Sequence, residues 1–286
     1  MTVATASRTW EEAVQALLAD PAQSKLVLDC FYDEPRAAAA ERYRHSPEWQ
    51  ALLALLPRPP GRALEIGAGH GIASVALTVA GWTVTALEPD PSEFVGAGAI
   101  RRLANELALD VRVVEGYAET LPFGDGEFDL ILARQVLHHA RDLQQLCREL
   151  ARVVRPGGTV LAVREHVISR HADLPKFLAA HPLHRLYGGE HAYLRDEYRT
   201  ALGDAGLDIV REFGPFDSPI NYAPHTRDTL RDELARRVGR VLGGSALLRG
   251  LLASDRAYDA FLRVLSRIDS RPGRLYSFVC SRPVQA

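Results

Sequence analysis

Two sets of residues in this chain have the types and spacing that chemistry needs. The first is a glycine loop flanked by carboxylates. Glu65 lies near the end of the apolar run Arg62-Ala-Leu-Glu-Ile66. Gly67, Gly69 and Gly71 follow at alternate positions, and Glu88 closes the next run, Trp82-Thr-Val-Thr-Ala-Leu-Glu88. Glycines in this rhythm let a backbone turn sharply and approach a ligand closely. A carboxylate at the place of Glu88 can accept hydrogen bonds from a ribose diol. The spacing also selects among nucleotides. A dinucleotide fingerprint requires G-x-G-x-x-G, and Ile72 stands where its third glycine would be. No G-x-x-x-x-G-K-[ST] occurs, so a phosphate-cradling P-loop is absent. A negative Glu65 beside the loop suits a cationic ammonium better than a phosphate.

The second set is rich in histidine. Five of the ten histidines fall between residues 166 and 191, namely His166, His171, His181, His184 and His191, together with Tyr187 and Glu190. Histidine is the natural base near neutral pH, and a base is needed where an acceptor hydroxyl or acidic carbon must lose a proton. His191, Glu190 and His166 are the candidates for catalytic roles, His166 because it leaves a strand at its carboxyl end. The segment reads either as a lid lining an acceptor pocket or as a solvated polar loop. His138 and His139 read as structural or cofactor-positioning residues rather than bases. No metal site is expected: His181-x-x-His184 lacks the i, i+4 spacing of a helical ligand pair, and no cysteine lies near.

The elements that must position these residues alternate between strand and helix, which argues for a mostly parallel sheet in an α/β fold. Strands are predicted near 62–66, 83–88, 111–115, 128–133, 159–165 and 207–213, with a last one over 274–281. Helices are predicted from Pro91 to about Leu107 and from Leu143 to Val154, the second stopped by Pro156-Gly157-Gly158. Residues 1–60 read as an N-terminal helical cap. Residues 61–213 and 273–286 read as the core, with a lid-like segment over 167–195. Residues 214–272 read as a helical insertion, with helical patterns near 225–241 and 245–268.

Four segments in order resemble the class I S-adenosylmethionine-dependent methyltransferases, especially the ubiquinone/menaquinone-type subgroup. They are the glycine loop, Val113–Phe123, Gly126–His139 and Leu150–Gly158, which lie within residues 61–166. The resemblance implies a Rossmann-like, seven-stranded sheet with helices on both faces and an antiparallel last strand. It implies S-adenosylmethionine as cofactor and S-adenosylhomocysteine as product. Glu65, Gly67, Gly69 and Gly71 would shape the methionine end, and Glu88 would hold the ribose. Ala118 and Glu119 would lie near the adenine, with Tyr117 where many relatives carry Asp. Arg134 would contact the cofactor mainly through its backbone. The implied activity is methyl transfer to a small-molecule acceptor, with oxygen or carbon favoured. A same-fold cyclase or decarboxylase, and a non-catalytic binding protein, stay open as alternatives.

Composition narrows the partners. A net charge of −2 over 286 residues gives no bulk attraction for nucleic acid. Three scattered cysteines, Cys30, Cys147 and Cys280, form no disulfide or metal framework. No apolar run approaches the ~20 residues of a membrane span. The N-terminus lacks the basic-then-apolar pattern of a secretion signal. A cytoplasmic protein is expected, acting on a small molecule without nucleic acid or membrane. Its oligomeric state is open, a homodimer among the options.

Overall fold

The computed structural model of the protein describes residues 8–242 and 254–284. Eight strands form one sheet: β1 Arg62–Ile66, β2 Thr83–Leu87, β3 Val111–Val114, β4 Phe128–Arg134, β5 Val154–Ile168, β6 Tyr193–Leu194, β7 Asp208–Phe213 and β8 Arg274–Ser281. The sheet order is β3-β2-β1-β4-β5-β8-β7, with β6 paired to β5. The pairs from β3 across to β5 are parallel, and β8 runs antiparallel to both β5 and β7. Among the described residues the strand count is therefore eight rather than the expected seven. The extra strand is two residues long, too short to carry a visible period, and joins β5 in parallel at Val167 and Ile168.

The chain runs outward from β1 to β3 and then returns to β4. That reversal opens a crevice at the carboxyl ends of β1 and β4, where open α/β sheets bind ligands. Apolar layers cover both faces. Leu64, Ile66, Ile131, Val160, Ala162 and Phe278 face one layer. Ala63, Leu130, Leu132, Leu161, Val163 and Val279 face the other. The helices Arg36–Arg44 and Pro47–Leu53 lie on this second side, preceded in the chain by Trp10–Ala19 and Ser24–Asp29. Tyr43, Trp49 and Leu52 join its core beside the helix Ile72–Val79. Each such large apolar side chain contributes about 1.5–3 kcal/mol when fully buried.

Two irregularities depart from the regular pattern. β5 carries a bulge between Ala162 and Glu165, so three residues of β5 span what two residues of β8 span. The extra residue moves Glu165 onto the face shared by Val160, Ala162 and Val167. The other concerns the helix expected from Pro91. It begins at Ala97 instead, because the Ser92 hydroxyl caps the backbone N–H groups of Phe94 and Val95 in a separate turn. In the 214–272 region, helices cover Pro219–Tyr222, Arg227–Leu242 and Asp255–Ile268, with Leu230, Tyr258 and Leu262 as a small core of their own. The start of the second expected helix there, 245–253, lies outside the described residues.

Candidate active site

Gly67, Gly69 and Gly71 have φ of +60°, +55° and +89°, the left-handed region that glycine enters without strain. Gly67 also lies so close to Val136 in the loop after β4 that a Cβ would stand 2.7 Å from its Cγ2. Gly69 is different: nothing lies within 4 Å of where its Cβ would be, so its surface is open to a ligand. Glu88 is buried, and its carboxylate accepts the Gly69 N–H at 2.7 Å and the Asp90 N–H at 3.0 Å. Burial lifts its pKa to about 7 against those two bonds. Each oxygen keeps acceptor capacity for a diol. Glu65 is buried as well, accepts the Ser74 hydroxyl, and is lifted by burial to about 7. An open glycine surface beside two desolvated carboxylates fits a cationic nucleoside.

The N-terminal cap reaches this loop directly. The buried His70 ring donates from Nε2 to the Phe31 carbonyl at 3.0 Å, and burial pushes its pKa down to about 3. Tyr32 packs against the same ring with centroids 4.7 Å apart. Trp10 stacks edgewise on Tyr32 and on Tyr187 of the lid-like segment. The cap and that segment thus meet above the loop.

Arg134, at the end of β4, has its side chain committed elsewhere. Its guanidinium forks onto the buried Glu48 at 2.5 and 3.0 Å, and Arg164 approaches the same carboxylate at 3.4 Å. Tyr43 donates its hydroxyl to Glu48 at 3.1 Å. Burial opposes the Glu48 charge, but Arg134 and Arg164 outweigh it and hold the carboxyl below its ordinary value. Ala118 packs against the first core layer. The Glu119 carboxylate accepts the Arg141 N–H at 3.0 Å, so it braces the loop after β4. Tyr117 is exposed.

Beyond the glycine loop, histidines from three segments converge near Glu190. Glu165, fully buried by the β5 bulge, accepts the backbone N–H groups of Val136 and His138 and contacts His138 Nδ1 at 2.7 Å. The opposite edge of the His138 ring faces Glu190, with Nε2 3.5 Å from Oε2. His139 Nε2 lies 4.0 Å and His181 Nδ1 3.8 Å from the same carboxylate. His166 packs edgewise on His138 and His181, and its Nδ1 contacts the Gly273 carbonyl at 3.0 Å. A carbonyl can only accept, so Nδ1 carries the proton and Nε2 is the free acceptor. Burial, with His138 adding to it, pushes His166 well below its ordinary pKa and keeps it neutral. His138 moves the other way: burial disfavours its charge, but Glu165 and Glu190 outweigh it and raise its pKa. Burial also opposes the Glu190 charge, and its histidine neighbours hold the carboxyl low.

Of the three residues singled out for catalysis, the fold brings Glu190 and His166 into one cluster. His191 sits apart, half-buried with its ring on Tyr193 at 4.4 Å. The residues that sequence reasoning missed are Glu165 and Glu48, and it undervalued His138 and His139. Glu165 stands next to His166 at the carboxyl end of β5, a position that could have flagged it. Glu48 gave no signal, since it meets Arg134 across 86 positions. The expectation of no metal site rested on local spacing, whereas the fold gathers His138, His139 and Glu190, and also His166, His181 and Glu190, with donor atoms mutually within 4.8 Å. Among the described residues no helix is long and apolar enough to cross a membrane.

Residues 64–162 match the family described as methyltransferase domain. The ubiquinone biosynthesis O-methyltransferase of Rhizobium leguminosarum bv. trifolii (strain WSM2304) is 30% identical over 164 residues, which are 56% of this chain and 64% of that protein. The chain thus covers just under two thirds of that relative's length. Among solved structures, geranyl diphosphate methyltransferase in complex with S-adenosylmethionine aligns with a TM-score of 0.56 at 18% identity over 94% of each chain. A 4+2 cyclase, SpnF, aligns with a TM-score of 0.53 at 19% identity over 98% of each chain. At such identities the structural likeness shows the fold alone. Across residues 64–162 the chain is thus similar to methyltransferase domains, and the relatives it matches beyond that segment are named as methyltransferases.

Proposed function

We propose that this chain methylates an oxygen of a small-molecule acceptor seated over the histidine cluster, with a carbon acid as the variant acceptor. The observation that carries this proposal is His166: buried, neutral, fixed by Gly273 at Nδ1, and free to accept at Nε2. It lies at the carboxyl end of β5, past the loop whose Val136 touches Gly67. When bound, S-adenosylmethionine supplies an electrophilic methyl group. Gly67, Gly69 and Gly71 would cradle its methionine end, Glu65 would face the ammonium, and Glu88 would accept from the ribose hydroxyls. Ala118 and Glu119 would flank the adenine.

The chain's own share of the work is positioning and proton removal. Alignment of two reactants can lower a barrier by about 7–11 kcal/mol. His166 Nε2 takes the acceptor's hydroxyl proton, and Glu190 lies close enough to steady the resulting charge. Trp10 joins Tyr32 of the cap to Tyr187 of the lid-like segment, and together they would cover the crevice. The relative named for ubiquinone biosynthesis O-methylation supports an oxygen acceptor.

The test is to incubate the purified protein with S-adenosylmethionine and a panel of phenols, catechols and β-keto acids. A product heavier by one methyl group, with equimolar S-adenosylhomocysteine, is expected. Tight cofactor binding without methylated product across the panel would favour non-methylating chemistry. No binding of S-adenosylhomocysteine in calorimetry would overturn the proposal altogether.

A further inference from the structure

We propose that His138, His139 and Glu190 form a binding site for a divalent transition ion of the zinc type, with at least one coordination position open. Three-ligand sites of two histidines and one glutamate are the composition of open, catalytic zinc centres. His138 Nε2 and His139 Nε2 both face Glu190 Oε2, at 3.5 and 4.0 Å. Donors around a tetrahedral ion with bonds near 2.1 Å stand about 3.4 Å apart. The two carboxylate distances lie within about 0.6 Å of that spacing, and all three donor atoms lie within 4.8 Å of one another.

Three further observations agree. First, both rings are held from behind. His138 Nδ1 rests on the Glu165 carboxylate at 2.7 Å, and His139 Nδ1 on the Gly189 carbonyl at 3.1 Å. Outer partners of this kind fix the tautomer that leaves Nε2 as a ligand and increase its basicity. Second, Glu190 Oε2 is buried and has no hydrogen-bond partner, although buried polar atoms nearly always have one. Third, Gly188 and Gly189, with φ of +84° and +77°, turn the segment so that the Glu190 carboxylate points inward while the Gly189 carbonyl reaches His139. The His139 side chain is 45% exposed, which leaves a route from solvent and room for an anionic oxygen of an acceptor. His166 stays outside this set, so the proposal does not depend on its role as a base.

A proton on His138 shared with Glu190 is the competing occupant, and metal titration separates the two. Protein dialysed against chelator is titrated with Co2+, read by its ligand-field absorption, and with Zn2+ by calorimetry. One ion per chain is expected. Glu190→Gln and His139→Asn should each weaken it about tenfold or more, while His45→Ala, on a distant exposed ring, should leave it unchanged. Circular dichroism and affinity for S-adenosylhomocysteine check that the variants fold and that cofactor binding is a separate matter. Should Glu190→Gln fail to fold, His139→Asn at its exposed position still decides. Absence of stoichiometric uptake, or uptake indifferent to both substitutions, overturns the proposal.

Discussion

Replacing Glu88 with glutamine separates charge from shape at the proposed ribose end of the loop. The carboxylate accepts two backbone N–H groups, from Gly69 and Asp90, one on each oxygen. Glutamine keeps a single acceptor oxygen, so it can serve one of these and loses the charge that draws a diol. A hydrogen bond to a charged group is worth about 1.5–3 kcal/mol, so losing one should weaken nucleoside binding by about 10- to 150-fold. The pH dependence gives a second readout. Glu88 titrates near 7 because it is buried, and its ionised form is the better acceptor for the diol. Affinity should therefore rise as pH climbs to about 7 and level off above it. The folding equilibrium carries the opposite sign. The unfolded carboxyl ionises first, near its ordinary value of 4.5, so rising pH removes stability from the unliganded protein between about 4.5 and 7. Glu65 also titrates near 7, and in the proposed binding mode it faces the ammonium end. The clean probe is thus methylthioadenosine, which has the ribose but no ammonium. Calorimetry with this compound across the neutral range should show the pH dependence in the parent and not in Glu88→Gln. Equal affinity in the two proteins, or the same pH profile in both, would refute the ribose assignment.

Removing the buried anion by Glu48→Ala leaves Arg134 and Arg164 without compensation and should cost about 3–5 kcal/mol in chemical denaturation; a loss under about 1 kcal/mol would contradict its bridging role. His166→Ala should lower kcat by about 10²–10⁴-fold with affinity for S-adenosylhomocysteine unchanged, whereas His191→Ala should change kcat little. An equal loss in both variants would remove His166 from the base position. Gly67→Ala should destabilise through its left-handed φ by about 1–2 kcal/mol, plus the clash of its Cβ with Val136. Val136→Ala in the same chain should recover the clash but not the backbone cost, as read by thermal unfolding, and full recovery would show that φ is not the constraint.

The parts of this molecule that were legible in its sequence are those whose cause is local. The strand–glycine loop–strand unit from Arg62 to Glu88 announces itself because the apolar runs, the turn residues and the terminal carboxylate are neighbours in the chain. The helix misplaced at Pro91 shows the limit of such cues, because proline at a first-turn position and proline in a tight serine turn look alike in sequence. Long-range contacts leave no such trace. Glu48 belongs to a helix that reads as ordinary amphipathic cap, and its partners stand 86 and 116 positions away. β6 is set by the geometry of β5, with only Tyr193 and Leu194 to mark it.

The histidine cluster was half legible, and the β5 bulge explains which half. Regular alternation along β5 from Val160 and Ala162 would continue through Arg164 and His166 on that face. The inserted residue instead gives the face to Glu165 and Val167. Arg164 takes up the irregularity with φ of +63°, its N–H bonded to Ser277 and its guanidinium to the Ile220 carbonyl. One backbone irregularity therefore sends a carboxylate toward His138 and an arginine toward Glu48, on opposite sides of the sheet. Two charged groups adjacent in sequence become the anchors of two separate polar networks, one holding the cap and one orienting the cluster. Deleting Arg164 at this bulge should restore regular pairing with Glu165 still on the face of Ala162, so His138 should keep its carboxylate while Glu48 loses one of its two arginines. A histidine cluster disturbed as much as the Glu48 network in that deletion would show that the bulge does more than decide which face each residue takes.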